Sequence, residues 1–414
     1  MRHLSITVLA GALSCLAAPL APVVAQDLPA GKARELVEAV CTSCHLPNQI
    51  SRSSGYTADG WRELVLTMVD LSEAPAERAA IIAYLAENFP PHERRAPKLV
   101  SGPSRVAFTE WQVPTLGQRS RDPVQAPDGS IWWAGQFANL VGKIDPATGA
   151  MTEFPLPDNA MPHSVDLDAA GMVWYTGNRN GTVGRLDPAT GAVTEFPMPD
   201  PAARDPHTHI FDANGILWFT LQQSNMIGRL DPASGDVRLV PTAPGAKPYG
   251  VKIDAAGTPW IACNGSNCLI RVDPQSMALT EVKLPNPATR VRRLDIAGDG
   301  TVWYVNSSQG RIGRYDPATG DIREWPSPSG PKSHPYAIAV VDGIVWYNES
   351  GMRPDALVRF DPATERFQSW AIPSGGVHAG IVRHMRPTRD GNLLIHQSST
   401  NRIIRVDLKP AATQ

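Results

Sequence analysis

Gly184-Arg185-Leu186-Asp187-Pro188-Ala189-Thr190-Gly191, followed by Thr194-Glu195-Phe196-Pro197, is one copy of a unit that recurs along most of the chain. The apolar residues around Arg185 suit a short strand. Asp-Pro-x-x-Gly turns the chain, because proline presets φ, aspartate bonds back to nearby amides and glycine accepts positive φ. Thr-Glu-Phe-Pro then opens the next strand. The Asp of this step recurs at Asp145, Asp187, Asp231, Asp273, Asp316 and Asp361, with a degenerate copy at Asp407. The period of 42 to 46 residues is that of a propeller blade of four short strands. Turns such as Asp128-Gly129, Asn214-Gly215 and Asp299-Gly300, each ahead of a tryptophan, close a second hairpin in the unit.

The ends of the repeat set the blade count. The seventh unit stops at Val406-Asp407-Leu408 and lacks its closing strand. A matching strand, Phe108-Thr109-Glu110-Trp111-Gln112-Val113-Pro114, stands at the front. Donating it to the last blade closes the ring and removes a sheet edge. The expectation is an all-β seven-bladed propeller over 105–408, followed by a tail at 409–414.

Outward from the repeat, composition bounds the rest. The 414 residues carry a formal net charge of -2, which gives no case for nucleic-acid or membrane-surface binding. The 39 prolines and 34 glycines recur at the turns, so they indicate ordered repeats and not disorder. Residues 1–25 read as a cleaved signal peptide. Arg2 and His3 precede an apolar run interrupted by Pro19, and Val23-Val24-Ala25 offers small residues for cleavage. No later stretch is long enough to span a bilayer. An exported, periplasmic protein is expected. In that oxidising setting Cys263 and Cys268, facing each other across Asn264-Gly265-Ser266-Asn267, are either a disulfide or two half-buried thiols.

Between signal and propeller lies Cys41-Thr42-Ser43-Cys44-His45, the C-x-x-C-H spacing of covalent haem attachment. Cys41 and Cys44 would form the thioethers and His45 would be an axial ligand of the iron. A zinc half-site is the weaker reading, since no second ligand pair lies nearby. A redox dithiol would need a βαβ setting that is missing. Helices are expected over 29–40, 58–69 and 75–88. Met68 is the sole methionine between the cleavage site and residue 150, which makes it the second axial ligand, with His92 as fallback. Residues 26–91 resemble a small class I c-type cytochrome. The resemblance implies a small all-α domain holding one covalent haem c and exchanging electrons with a periplasmic donor or acceptor protein. Residues 92–104 read as a Pro-rich flexible linker.

Propeller ligands collect at the axis. Aligned on the glycine before each tryptophan, the position eight residues upstream holds Arg121, His163, His207, Tyr249, Arg292 and Arg383. A one-residue deletion in the sixth unit brings Tyr336 to this place, with His334 two residues before it. Three arginines, two histidines and two tyrosines at one level suit an anionic small-molecule ligand. Asp205, His209, Lys247, Arg293, His378 and His384 lie near them in sequence.

The Trp-aromatic step, the Ile-Gly-Arg-Leu-Asp-Pro step and the Thr-Glu-Phe-Pro strand resemble the virginiamycin B lyase (streptogramin lyase) family over about 105–408. That resemblance implies β-elimination opening a cyclic depsipeptide, with a histidine base and Mg2+ held by acidic residues. At the family's acidic position this chain has Gly135, Gly177, Leu221, Cys263, Asn306, Glu349 and Gln397, so Glu349 alone keeps the acid. Tyr336 stands where the histidine is expected, next to His334. Two functions follow as expectations. One is an exported haem c electron-transfer protein whose propeller binds an anion or a redox partner. The alternative is a lyase with His334, Tyr336 and Glu349 as catalytic residues and an accessory cytochrome domain. A pure docking platform is the third reading.

Overall fold

A computed structural model describes residues 28–42, 47–51, 53, 55–92, 95–373 and 381–409. The expected signal at 1–25, Cys44, His45, His378 and most of the 409–414 tail lie outside the described residues. The chain divides into two compact units, 1–53 and 54–414. This division falls inside the 26–91 segment.

In the first unit, helix α1 spans Arg34–Cys41 and buries Val37. Arg34 pairs with Glu38 at 2.8 Å, one turn apart. The helix starts later than residue 29 because the chain first turns at Gly31, whose carbonyl accepts from the Arg34 amide. Cys41 is its last residue and is half-buried. Helix α2, Pro47–Ser51, replaces the expected turn at Pro47. A proline is tolerated at a first helical position because its missing N–H would be unpaired there anyway.

In the second unit, α3 spans Ala58–Leu66 and α4 spans Pro75–Asn88. Thr57 caps α3 by accepting from the Gly60 amide. Trp61, Leu64 and Val65 of α3 are buried, as are Ile81, Ile82, Tyr84 and Leu85 of α4. Helix α3 stops before residue 69 because its end is tied to the propeller. The Thr67 carbonyl accepts from the Gly117 amide at 2.9 Å and from Asn401 Nδ2 at 2.5 Å. The Thr67 hydroxyl bonds the carbonyls of Leu64 and Ser399. Gly117 has φ +65, and a Cβ there would meet the Met68 carbonyl oxygen at 2.4 Å, so only glycine fits this approach.

Residues 95–104 are an ordered strap along the sixth blade, not a flexible linker. The Ser369 amide donates to the Val100 carbonyl, the Arg353 amide to that of Arg95, and Gln368 bonds both the amide and the carbonyl of Ser104. Gly102 leaves room for the Gln368 side chain, which would meet a Cβ at 2.5 Å. These polar pairings tie the segment to the sheet at points along its length.

The propeller has seven four-stranded antiparallel sheets. Six are built from residues 120–155, 162–197, 206–241, 248–283, 291–326 and 335–371. The seventh combines Arg386–Pro387, Leu393–Gln397 and Arg402–Asp407 with Ala107–Gln112. Ala107 pairs with Asp407 and Gln112 with Arg402, so the front strand closes the ring as expected.

The repeat has a packing cause. Trp133, Tyr175, Phe219 and Tyr304 each lie opposite a glycine of the neighbouring strand, namely Gly142, Gly184, Gly228 and Gly313. A Cβ on any of these glycines would come within 2.0–2.1 Å of the ring. Blades four and seven use Ile261–Ile270 and Ile395–Ile404 instead, exchanging a large–small pair for two medium side chains. The tryptophan indoles of blades two to four donate to Asp168, Asp212 and Asp254, which also organise the Gly turns. Cys263 and Cys268 form a disulfide across their hairpin, with Cα atoms 5.4 Å apart, which resolves the open alternative.

Candidate functional site

The repeat delivers one side chain per blade to the axis by a common backbone device. In six blades the innermost strand shifts register beside that residue, for example between Arg121 and Val124 and between Pro248 and Val251. A bulge bends the strand and re-aims its side chain. Two residues earlier, φ is positive at Arg119, Met161, Lys247, His334 and Ile381. Non-glycine residues held there store strain that the surrounding structure must hold.

All seven aligned positions line one cavity of about 440 Å³, and His334 joins them. Rings dominate one arc. His163 and His207 have centroids 3.5 Å apart, and His207 and Tyr249 4.3 Å. Cations dominate the other, where Arg119, Arg121, Arg292 and Arg383 line the cavity. Between them, the Tyr249 and Tyr336 hydroxyls share a short hydrogen bond. The Arg292 guanidinium lies 4.6 Å from the Tyr336 ring centroid and 5.7 Å from that of Tyr249, and Arg383 lies 6.0 Å from Tyr336.

This setting changes protonation. Burial alone would raise the Tyr336 phenol. The positive charges of Arg292 and Arg383 and the hydrogen bond from Tyr249 outweigh it and bring Tyr336 down to about 7. Tyr249 moves up, by burial and by the charge on Tyr336. His163 and His207 are pushed well below the usual histidine range by burial and by Arg121, so both are neutral. His334 falls to about 4 through burial and Arg292. The Ser350 hydroxyl donates to the His334 carbonyl, so His334 Nδ1 donates to Ser350 Oγ at 2.9 Å and Nε2 carries the lone pair.

Below the ring lies a second level that the aligned column does not reveal. Asp122, fully buried, is approached by His384 Nδ1 at 3.4 Å, Arg293 at 3.6 Å and Arg121 at 3.6 Å. Burial opposes its charge, but His384, Arg121 and Arg293 hold it well below the ordinary carboxylate range. Arg293 also bonds the Arg383 carbonyl and Thr208 Oγ1 and lies over the Tyr249 ring, tying blades three, four, five and seven together. These residues occupy the next aligned column, Asp122, Thr208, Arg293 and His384, so reading one position further exposes them. Arg119, Gln136 and Gln222 enter the cavity from two further aligned positions. Arg119 stands two residues before the ring column, as do His334 and Ile381, and Gln136, Asn178 and Gln222 stand seven residues after the glycine that precedes each tryptophan. His209 is buried with neither ring nitrogen hydrogen-bonded, and burial brings it to about 4.

Glu349 is buried and does not line this cavity. Its Oε1 accepts from the Ser327 hydroxyl and the Ser329 amide, and its Oε2 from the Ser329 hydroxyl. Those donors take three of the roughly four lone-pair sites of the carboxylate, which leaves little for a hard cation. Among the described residues no group of three or more His, Cys, Asp or Glu could hold a metal ion. The described residues do not fit the Mg2+ site implied by the family resemblance. Of the haem donors, Cys41 ends α1, and Met68 follows α3 with a half-buried side chain and its amide bonded to the Val65 carbonyl.

Solved structures share this architecture. The virginiamycin B lyase of Staphylococcus aureus superposes with a TM-score of 0.66 at 23% identity, covering 73% of this chain and all of that one. A catalytically inactive variant of the same lyase with quinupristin gives 0.65 at 24% identity, covering 73% and 100%. The WD40 β-propeller domain of Doa1 gives 0.59 at 13% identity, covering 76% and 98%. No curated protein matches the chain. Two stretches, residues 103–241 and 237–414, match the virginiamycin B lyase family model, and the chain belongs to that family.

Proposed function

We propose that the axial cavity carries out a lyase-type β-elimination on an anionic substrate. The observation that carries this reading is the Tyr336 phenol, hydrogen-bonded to Tyr249 beneath Arg292 and Arg383. Elimination removes a proton α to a carbonyl and then expels a group from the β carbon. Arginines on the substrate's carboxylate stabilise the charge that develops as the proton leaves. Tyr336, brought to about 7, is matched to take a proton near neutral pH, whereas His334 at about 4 is a weak base. Membership of a lyase family supports the reaction class. The departures at Tyr336 and Glu349 support a substrate and a base different from those the resemblance implies. The test incubates the full chain with carboxylate-bearing esters and glycosides and follows the ultraviolet absorbance of the new double bond. Product from the native chain and none from Tyr336→Phe is the expected outcome. Equal product from both would remove Tyr336 from the reaction.

We also propose that the protein is exported and carries haem c on Cys41 and Cys44, with His45 and Met68 as axial ligands. The donor set of two thiols, an imidazole and a thioether suits that group, and Cys41 is the last residue of α1. Such a haem supplies one-electron exchange with a periplasmic donor or acceptor protein when bound. A reduced-minus-oxidised spectrum of periplasmically expressed protein tests it. A haem c band lost in Cys41→Ala supports the assignment, and a featureless spectrum overturns it.

A further inference from the structure

The axial cavity does not end at the ring. His334 also lines two neighbouring cavities of about 410 and 460 Å³. The first shares Gln222 and Arg292 with the axial cavity, and the two neighbours share Ser307 and Ser308, so the three form one continuous groove across blades four to six. Beyond Arg292 this groove carries Lys247, Arg290, Lys332, Arg353 and Arg95. Among the described residues no carboxylate lines either neighbouring cavity. Asp355 lies 3.5 Å from Arg353. Lys247 and Lys332 are exposed. A chain of formal charge -2 has thus concentrated cations along one track.

We infer that this track binds an acidic polysaccharide of uronate units and feeds one unit to the axial site. The lining decides among polyanions. Between the cations stand Ser307, Ser308, Asn264 and Ser350, groups that match sugar hydroxyls. Among the described residues, outside the shared His334, neither side cavity has an aromatic side chain to serve as the stacking platform of single-stranded nucleic acid. Nor do the described residues of these two cavities form an apolar pocket of the kind that anchors a peptide. A uronate also has the chemistry the ring requires. Its carboxylate sits on the carbon whose proton must be taken, and the glycosidic oxygen is on the β carbon. The Tyr336 phenolate takes that proton and the C–H pair becomes the double bond. The C–O bond breaks with its pair on oxygen, and the tyrosine pair returns the proton there. The products are an unsaturated uronate end and a new hydroxyl end, with no oxidant or reductant required.

This inference rests on the elimination reading, so binding and product are measured separately. Calorimetry on the full chain uses oligogalacturonates of one to six units, carboxyl-reduced hexamer, an oligoaspartate of equal charge and a single-stranded oligonucleotide. Affinity should rise with oligogalacturonate length and vanish on carboxyl reduction. It should fall about tenfold or more in Lys332→Glu and in Lys247→Glu, surface changes that leave the core intact. Length-independent or absent binding overturns the inference even if small carboxylates are turned over. Tighter oligoaspartate or oligonucleotide binding overturns it in favour of that polymer. Length-dependent binding without unsaturated product upholds the polysaccharide track and overturns the elimination reading instead.

Discussion

The outer edge of the propeller and its axis are built from the same repeat and behave in opposite ways. At the edge, Asp145, Asp187 and Asp231 each accept from the amide two residues on, and the same turn is rebuilt blade after blade. One column at the axis reads Arg121, His163, His207, Tyr249, Arg292, Tyr336 and Arg383. Uniformity at the edge serves folding, because every blade must solve one packing problem. Diversity at the axis is affordable because the bulged backbone, not the side chain, sets its position.

Breaking the uniform part should have the largest effect. Gly228→Leu drives a side chain into the Phe219 ring, and about 3 kcal/mol or more of stability should be lost, read by denaturant unfolding. The diverse part should respond in activity and not in stability. Tyr336→Phe should lower turnover about 100-fold or more while the unfolding midpoint, measured at about pH 7 or below, barely moves. Arg292→Ala should weaken anion affinity about ten- to a hundredfold, and Arg292→Lys should recover part of it. The pH profile sharpens the same contrast. Activity should rise as pH climbs through about 7, where Tyr336 ionises, and Tyr336→Phe should abolish that step. Because the folded phenol titrates below its unfolded value of about 10, the stability it contributes is complete at high pH and is lost as pH falls through about 7. The smallest effect belongs to the edge again. Thr190→Ala removes one exposed hydroxyl from the Asp187 turn and should stay within about 0.5 kcal/mol, with activity unchanged.

Much of this was legible in the sequence for a physical reason. Blade period, closing strand and axial column are all carried by local patterns that recur at fixed spacing. What stayed hidden depends on contacts between distant residues. Asp122 looks like any strand residue until Arg293 and His384 converge on it from other blades. Residues 95–104 have a linker's composition, yet Ser369 and Gln368 hold them, and no local rule reveals partners so far along the chain. The early end of α3 likewise follows from Asn401.

The closing strand pair has a consequence for the order in which the molecule is made. Ala107–Gln112 is synthesised before the other strands of the propeller and waits for Arg402–Asp407, the last of them to emerge. Six sheets can form one after another as they leave the ribosome, but the seventh is completed only once residues 402–407 have been made. The seat of α3 on Ser399 and Asn401 forms at that same late moment. A premature stop ahead of residue 402 would therefore strand a long intermediate with an open ring, two exposed sheet edges and an undocked α3, a natural target for quality-control proteases.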